Sequence, residues 1–180
     1  MRGYPLGVQT FSEIIERNLL YIDKTQEIYN LLQGKYYFYA RPRRFGKSLM
    51  LSTIKSVYEG KKELFKGLWI EDKWDWSKKH PVIHLGFSGM GHRVVGLEEA
   101  ISKELDLIAG QHDFSLKEND YVRKFKELIQ KAAKHEGKVI LLIDEYDKPI
   151  IDYLGKEVET AEKNRTILKS FYLIIKDCAS

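Results

Sequence analysis

Five apolar residues in a row, Val139-Ile140-Leu141-Leu142-Ile143, run straight into Asp144-Glu145-Tyr146-Asp147. A strand with one wet face alternates apolar and polar residues, whereas an unbroken apolar strand is covered on both faces. Sheets covered on both faces are mostly parallel, because the covering helices are also the crossovers between strands. The rest of the chain supplies such elements. Tyr36 to Ala40 reads as a short apolar strand, and Pro81 opens another in "VIHLGFS". Apolar periodicity predicts helices from Gly46 to about Tyr58, Leu97 to about Ala109 and Ala161 to about Lys176. Ser115 and Glu118, spaced as a capping box, predict a further helix to about Lys134. Strands alternating with long helices predict an α/β domain with a mostly parallel sheet. Residues 1–35 read as an N-terminal helical segment, two short helices around a turn. Asp23 and Gln26 have capping-box spacing there, and Gly34 is a helix stop. "GMGHRVVG" reads as loop, and the stretch from Lys61 to Pro81 as irregular.

Acids at the carboxyl end of a parallel strand stand where α/β folds place ligands. Asp144 has that position, Glu145 follows it, and Asp147 adds a third carboxylate. Alone, the pattern also describes a buried strand that ends in a solvated acidic turn. A second stretch argues for chemistry. Between the Tyr36–Ala40 strand and the next helix lies Arg41-Pro42-Arg43-Arg44-Phe45-Gly46-Lys47-Ser48. It matches the phosphate-loop pattern G-x-x-x-x-G-K-[ST] at Gly46, Lys47 and Ser48, with Arg41 in place of the first glycine. In such a loop, backbone N–H groups and the helix dipole converge on phosphate oxygens. Gly46 permits close approach, Lys47 supplies a point charge, and the Ser48 hydroxyl is a Mg²⁺ ligand. Arg43 and Arg44 add donors, so the candidate nucleotide-binding residues are Arg43, Arg44, Phe45, Gly46, Lys47, Ser48 and Leu49. The plain alternative is a basic turn that contains Gly-Lys-Ser by chance. Lys47 and Asp144 stand 97 residues apart, room for a helix, a further strand and a helical return.

Composition limits the alternatives. The chain has 180 residues, 43% of them hydrophobic and 31% charged, as expected for one globular domain. No apolar run approaches the roughly 20 residues of a membrane span, and the N-terminus lacks the apolar core of a signal peptide. Cys178 is the sole cysteine, so no intrachain disulfide can form, and a cytoplasmic location is the expectation. The net charge of +4 and pI of 8.9 fall just short of a basic nucleic-acid-binding domain. The histidines (His80, His84, His92, His112, His135) show no metal-ligand spacing, and His84 is expected in the core or on a sheet face. Trp69, Trp74 and Trp76 are expected to pin the irregular stretch to a core, the alternative being a base-stacking platform.

"RPRRFGKSLMLSTIKSVYEGKKELF" and "LIDEYDKP", with "YIDKT" at Tyr21–Thr25, "GLWI" at Gly67–Ile70, "PVIHLGFS" at Pro81–Ser88 and the Arg165–Lys176 helix, resemble the bacterial and archaeal AAA-ATPase-like family. The resemblance covers nearly the whole chain and makes the Arg41 departure a family trait. It implies a P-loop NTPase-like three-layer sandwich of the additional-strand (ASCE) type. The ligands implied are ATP and Mg²⁺, bound by a divergent Walker A motif (Arg41 to Ser48) and a Walker B motif (Ile140 to Glu145). Lys47 and Glu145 are then catalytic, with Glu145 directing the attacking water, while Ser48 and Asp144 hold the metal. Residues 1–180 are expected to form one P-loop domain. In the family a sensor 1 strand follows, and often a PD-(D/E)XK nuclease-like domain. The expectation is therefore of an incomplete core cut before that strand, with hydrolysis drawing on residues beyond Ser180. Two other functions fit: a nucleotide-regulated interaction module without turnover, and a DNA-associated ATPase of a mobile-element or defence system. No membrane partner is expected.

Overall fold

The computed structural model describes residues 2–40, 42 and 45–178, with 135 and 136 described by backbone alone. The chain divides into two compact units, Met1–Val82 and Ile83–Ser180.

The first unit contains helices α1 (Phe11–Glu16), α2 (Thr25–Leu31) and α3 (Lys47–Tyr58) and a 3₁₀ turn at Lys62–Phe65. Its core is Phe11, Val57, Leu64, Phe65 and Ile70, all buried. Phe11 lies against Phe65 at a centroid separation of 4.7 Å, and its amide donates to Ser52 Oγ, tying α1 to α3. The tryptophans line the edge of this core. Trp76 packs against Phe65 in a tilted arrangement and donates its indole N–H to the Glu71 carbonyl. Trp74 meets Tyr58 and Tyr29 edge-on, and Trp69 meets Tyr29. Rings packed in this way fasten an irregular segment, as expected.

Asp23 and Thr25 fasten it as well. Asp23 Oδ1 accepts from the Thr25 amide (2.8 Å) and hydroxyl (2.7 Å), and Oδ2 accepts from the Trp69 amide (2.8 Å). The buried Thr25 hydroxyl in turn accepts from the Ile70 amide at 3.2 Å. The "YIDKT" and "GLWI" stretches are therefore two sides of one clamp. The capping box expected from Asp23 and Gln26 is not the arrangement found: Lys24 occupies the cap position and makes no side-chain cap bond. The carboxylate is committed instead to Thr25 and to the distant Trp69 amide.

The strand expected at Tyr36–Ala40 does not form; the segment has no regular structure. Tyr36, Tyr37 and Phe38 are 60%, 51% and 74% exposed. A strand exists through a neighbour that takes up its N–H and C=O groups. The described sheet has two strands, which pair with each other.

Those strands are β1 (Val82–Gly86), in which the second unit begins, and β2 (Ile140–Asp144). They form a small parallel sheet, the mixed α/β arrangement expected. A parallel pair requires a crossover, and α5 (Leu97–Gln111) and α6 (Tyr121–Glu136) provide it. Alternate residues of β1, namely Ile83, Leu85 and Phe87 beyond its end, enter one core with Leu97, Ile101, Leu105 and Ile108 of α5, Phe125 and Leu128 of α6, and Phe171 of α8 (Val158–Cys178). Leu141 and Ile143 of β2 pack against that cluster, while Ile140 and Leu142 are buried from the other side of the strand. Phe125 and Phe171 stack at 4.2 Å.

Two local expectations are corrected here. The helix expected from Ser115 begins at Tyr121, where Asp120 is the cap: its Oδ1 accepts from the amides of Val122 and Arg123, each at 3.0 Å. The preceding segment is held by Glu127, whose Oε2 accepts from the Lys117 and Glu118 amides and which pairs with Lys131 at 2.8 Å. "GMGHRVVG" is not all loop. It contains α4 (His92–Val95), bounded by Gly91 and Gly96 at φ of 70° and 85°, a region open to glycine. A short α7 (Lys148–Ile151) also follows β2, with Pro149 in its first turn.

Two predictions follow from these locks. Asp23→Ala should cost about 1–3 kcal/mol in urea unfolding, since it strands the Trp69 and Thr25 donors. The Glu127 carboxyl is pulled from 4.5 down to about 2 by Lys131 and the two amides, against its burial. A depressed carboxylate stabilises the fold above its unfolded value and loses that contribution as pH falls through the folded one. The stability gap between the native chain and Glu127→Gln should therefore be largest at neutral pH and shrink as pH falls from 4.5 towards 2, read from melting temperatures across that range.

Candidate functional site

The helix-start half of the site lies in the first unit. Gly46 adopts a left-handed backbone (φ 74°) and caps α3, with the Met50 amide closing the first turn onto its carbonyl at 2.9 Å. That φ is strained for any residue with a Cβ. The space beside it is open: a Cβ built there meets nothing within 4 Å. Lys47 and Ser48 are the first two helical residues, and Leu49, the third, packs against the core of this unit. No acidic residue occupies the first turn. The N-terminal end of a helix is the positive end of its dipole and favours an anion. Phe45 is 63% exposed beside this start. Arg41, Arg43 and Arg44 lie outside the described residues.

The strand-end half lies in the second unit. Asp144 ends β2, and its carbonyl accepts from the Phe87 amide at 3.2 Å, carrying the pairing one step past β1. Glu145 has φ 50°, uncommon for a residue other than glycine. Its amide donates to Asp144 Oδ1 at 3.0 Å, and its carbonyl accepts from the Lys148 amide, turning the chain into α7. Helix α8 supports this turn: buried Asn164 donates from Nδ2 to the Pro149 carbonyl at 2.7 Å. Tyr172, also on α8, holds its hydroxyl in a buried position without a hydrogen-bond partner. Burial raises its pKa, with Tyr146 and Asp147 adding to the rise, so a neutral phenol stands beside the acidic turn.

The expected site residues thus stand at a helix start, which carries Lys47 and Ser48, and at a strand end, which carries Asp144 and Glu145. Sequence reading did not find Asn164 or Tyr172, because their places depend on how α8 packs. Among the described residues no three or more His, Cys, Asp or Glu side chains cluster as a metal group. No described helix is long and apolar enough to cross a membrane.

A family model described as "Predicted AAA-ATPase" matches residues 5–180. The chain belongs to the AAA-ATPase-like family. It is 41% identical over 177 residues to an uncharacterised protein in the vnfD 5′ region of Azotobacter chroococcum mcd 1, and the match takes in 96% of this chain. The chain spans about a third (34%) of that relative's length. No solved structure matches. For this AAA-ATPase-like chain, membership carries nucleotide binding as a general property of the family.

The open space at Gly46 separates conformational from steric cost. Gly46→Ala should destabilise by about 1–2 kcal/mol through its left-handed backbone alone, and the variant should stay folded by circular dichroism.

Proposed function

We propose that the chain is the nucleotide-binding part of an ATPase. The supporting observation is the start of α3, where a left-handed Gly46 precedes Lys47 and Ser48 in a helix whose first turn holds no acidic residue. Such a terminus favours an anion. The open space beside Gly46 fits a phosphate group, which needs close approach to the backbone. In this reading the arrangement is a P-loop sandwich of the additional-strand type, Arg41 to Ser48 is its Walker A motif, and Ile140 to Glu145 its Walker B motif.

The ligand is Mg·ATP, with ATP as the substrate. In this reading the phosphates fall to Arg43, Arg44, Phe45, Gly46, Lys47, Ser48 and Leu49, with the Lys47 ammonium supplying charge at the β and γ groups. Arg43 and Arg44 add charge at the same phosphates. In this reading Ser48 and Asp144 are the residues that would hold Mg²⁺, which would neutralise charge on the phosphate oxygens. Glu145 orients a water and accepts its proton as the water oxygen bonds to the γ phosphorus and the bond to the ADP oxygen breaks. Use of the released energy belongs to the longer protein, through a partner domain.

Two variants test this. In calorimetry with Mg·ATP, Lys47→Ala should weaken binding roughly tenfold to hundredfold, the worth of a charge-assisted contact. Glu145→Gln should leave affinity intact and lower phosphate release roughly 10²–10⁴-fold in a full-length protein. Equal ATP affinity in native and Lys47→Ala chains would falsify the assignment.

A further inference from the structure

A second charged cleft, of about 340 Å³, opens within the second unit and is lined by Ser88, Gly91, His92, Arg93, Lys148 and Asp152. The first four residues follow β1 and the last two follow β2, so the cleft lies outside the carboxyl ends of a parallel pair, where α/β folds bind ligands. Asp152 is its hub. Lys148 Nζ reaches Oδ1 at 3.1 Å, Arg93 Nε reaches Oδ2 at 3.3 Å, and Arg93 Nη2 donates to the Asp152 carbonyl at 3.2 Å. The Arg93 guanidinium also lies over the Tyr153 ring at 5.8 Å, which fixes its plane. His92 is 5% exposed, and its Nε2 stands 3.5 Å from Asp152 Oδ2 without hydrogen-bond alignment.

The donor balance is uneven. A guanidinium and an ammonium carry more N–H donors than this one carboxylate and one carbonyl take up, and the Ser88 hydroxyl adds another. Asp152 meanwhile has its oxygens turned to three cationic or imidazole groups. The cleft can therefore offer donors but little accepting capacity, and two cations outnumber its carboxylate. Arg93 and Lys148 have side chains 59% and 33% exposed, within reach of solvent.

We propose that this cleft is a phosphate-class oxyanion site distinct from the helix-start site, with Arg93, Lys148 and Ser88 as its contacts and Asp152 as the carboxylate that orients the two cations. The phosphate belongs either to a free anion or to a nucleic-acid backbone. Burial holds His92 below its ordinary 6.5; Asp152 opposes this, while Arg93 and Lys148 add to it. An anion that neutralises those two cations relieves their push, so the His92 midpoint should rise when the site fills.

The test uses the Lys47→Ala chain, which removes the helix-start lysine, so failure of this proposal and of the ATP assignment are distinguishable. Imidazole resonances, assigned through His92→Asn, are followed while inorganic phosphate is titrated at constant ionic strength. The expected result is a saturable shift of the His92 signals with an upward move of the midpoint. Arg93→Gln, or Lys148→Gln should the first variant fail to fold, should weaken that binding roughly tenfold or more. His92 signals that ignore phosphate, or that respond equally in the variants, overturn the proposal. A short single-stranded oligonucleotide is the second arm. If it competes for the same shift, the site takes backbone phosphate; if only inorganic phosphate moves His92, the site takes the free anion.

Discussion

The pairing of β1 with β2 is the constraint from which the second unit follows. Parallel strands cannot be joined by a tight turn, so the chain between them must leave the sheet and return. Helices α5 and α6 make that journey and bury the face formed by Ile83, Leu85 and Phe87. The same pairing brings two loop regions to one edge, since both strands end there. Phe87 continues the ladder onto the Asp144 carbonyl, and chemistry from residues 88–93 and 144–152 gathers beyond it. If the register moved by one residue, Leu141 and Ile143 would face away from the core and Asp144 would leave the edge.

Electrostatics divides the molecule by local backbone rather than by net charge, which is only +4. At the start of α3, Lys47 stands at the positive end of the helix dipole, in a first turn without acidic residues. After β2, acids cluster at a turn that α8 braces through Asn164. Stable carboxylates elsewhere are satisfied by amides: Asp23 by Thr25 and Trp69, Asp120 by the first turn of α6, Glu127 by Lys117 and Glu118.

Long periodic segments were legible in the sequence. Helices α3, α5 and α8 and strands β1 and β2 all stand where apolar spacing put them, because each buries a stripe that only one period can present. Short elements were less legible. The α4 turn depends on two glycines with positive φ, and α7 on a strained Glu145, neither of which has a hydrophobic period. The helix expected from Ser115 starts at Tyr121 instead, because Asp120 takes up the Val122 and Arg123 amides while Glu127 reaches back to hold the Lys117 and Glu118 amides outside the helix. The Tyr36–Ala40 segment has the composition of a strand, but composition does not provide a hydrogen-bonding neighbour.

The two halves of the proposed nucleotide site were also legible, because Gly46-Lys47-Ser48 and Asp144-Glu145 are local and their surroundings are strong helix and strand. Family membership was carried by the same stretches. By itself the sequence determined these local parts: the apolar run of β2, the glycine that a left-handed cap requires, and the order in which lysine and acids occur. Only the tertiary structure decided the roles that depend on distant partners. It turned Asp23 from a helix cap into a clamp on Trp69, and it set Asn164 under Pro149. It also surrounded Asp152 with His92, Arg93 and Lys148, residues separated by more than fifty positions from one loop to the other. The physical reason is common to all three. A hydrogen bond or ion pair between remote residues is created by packing, and packing is a property of the assembled core rather than of any window of sequence.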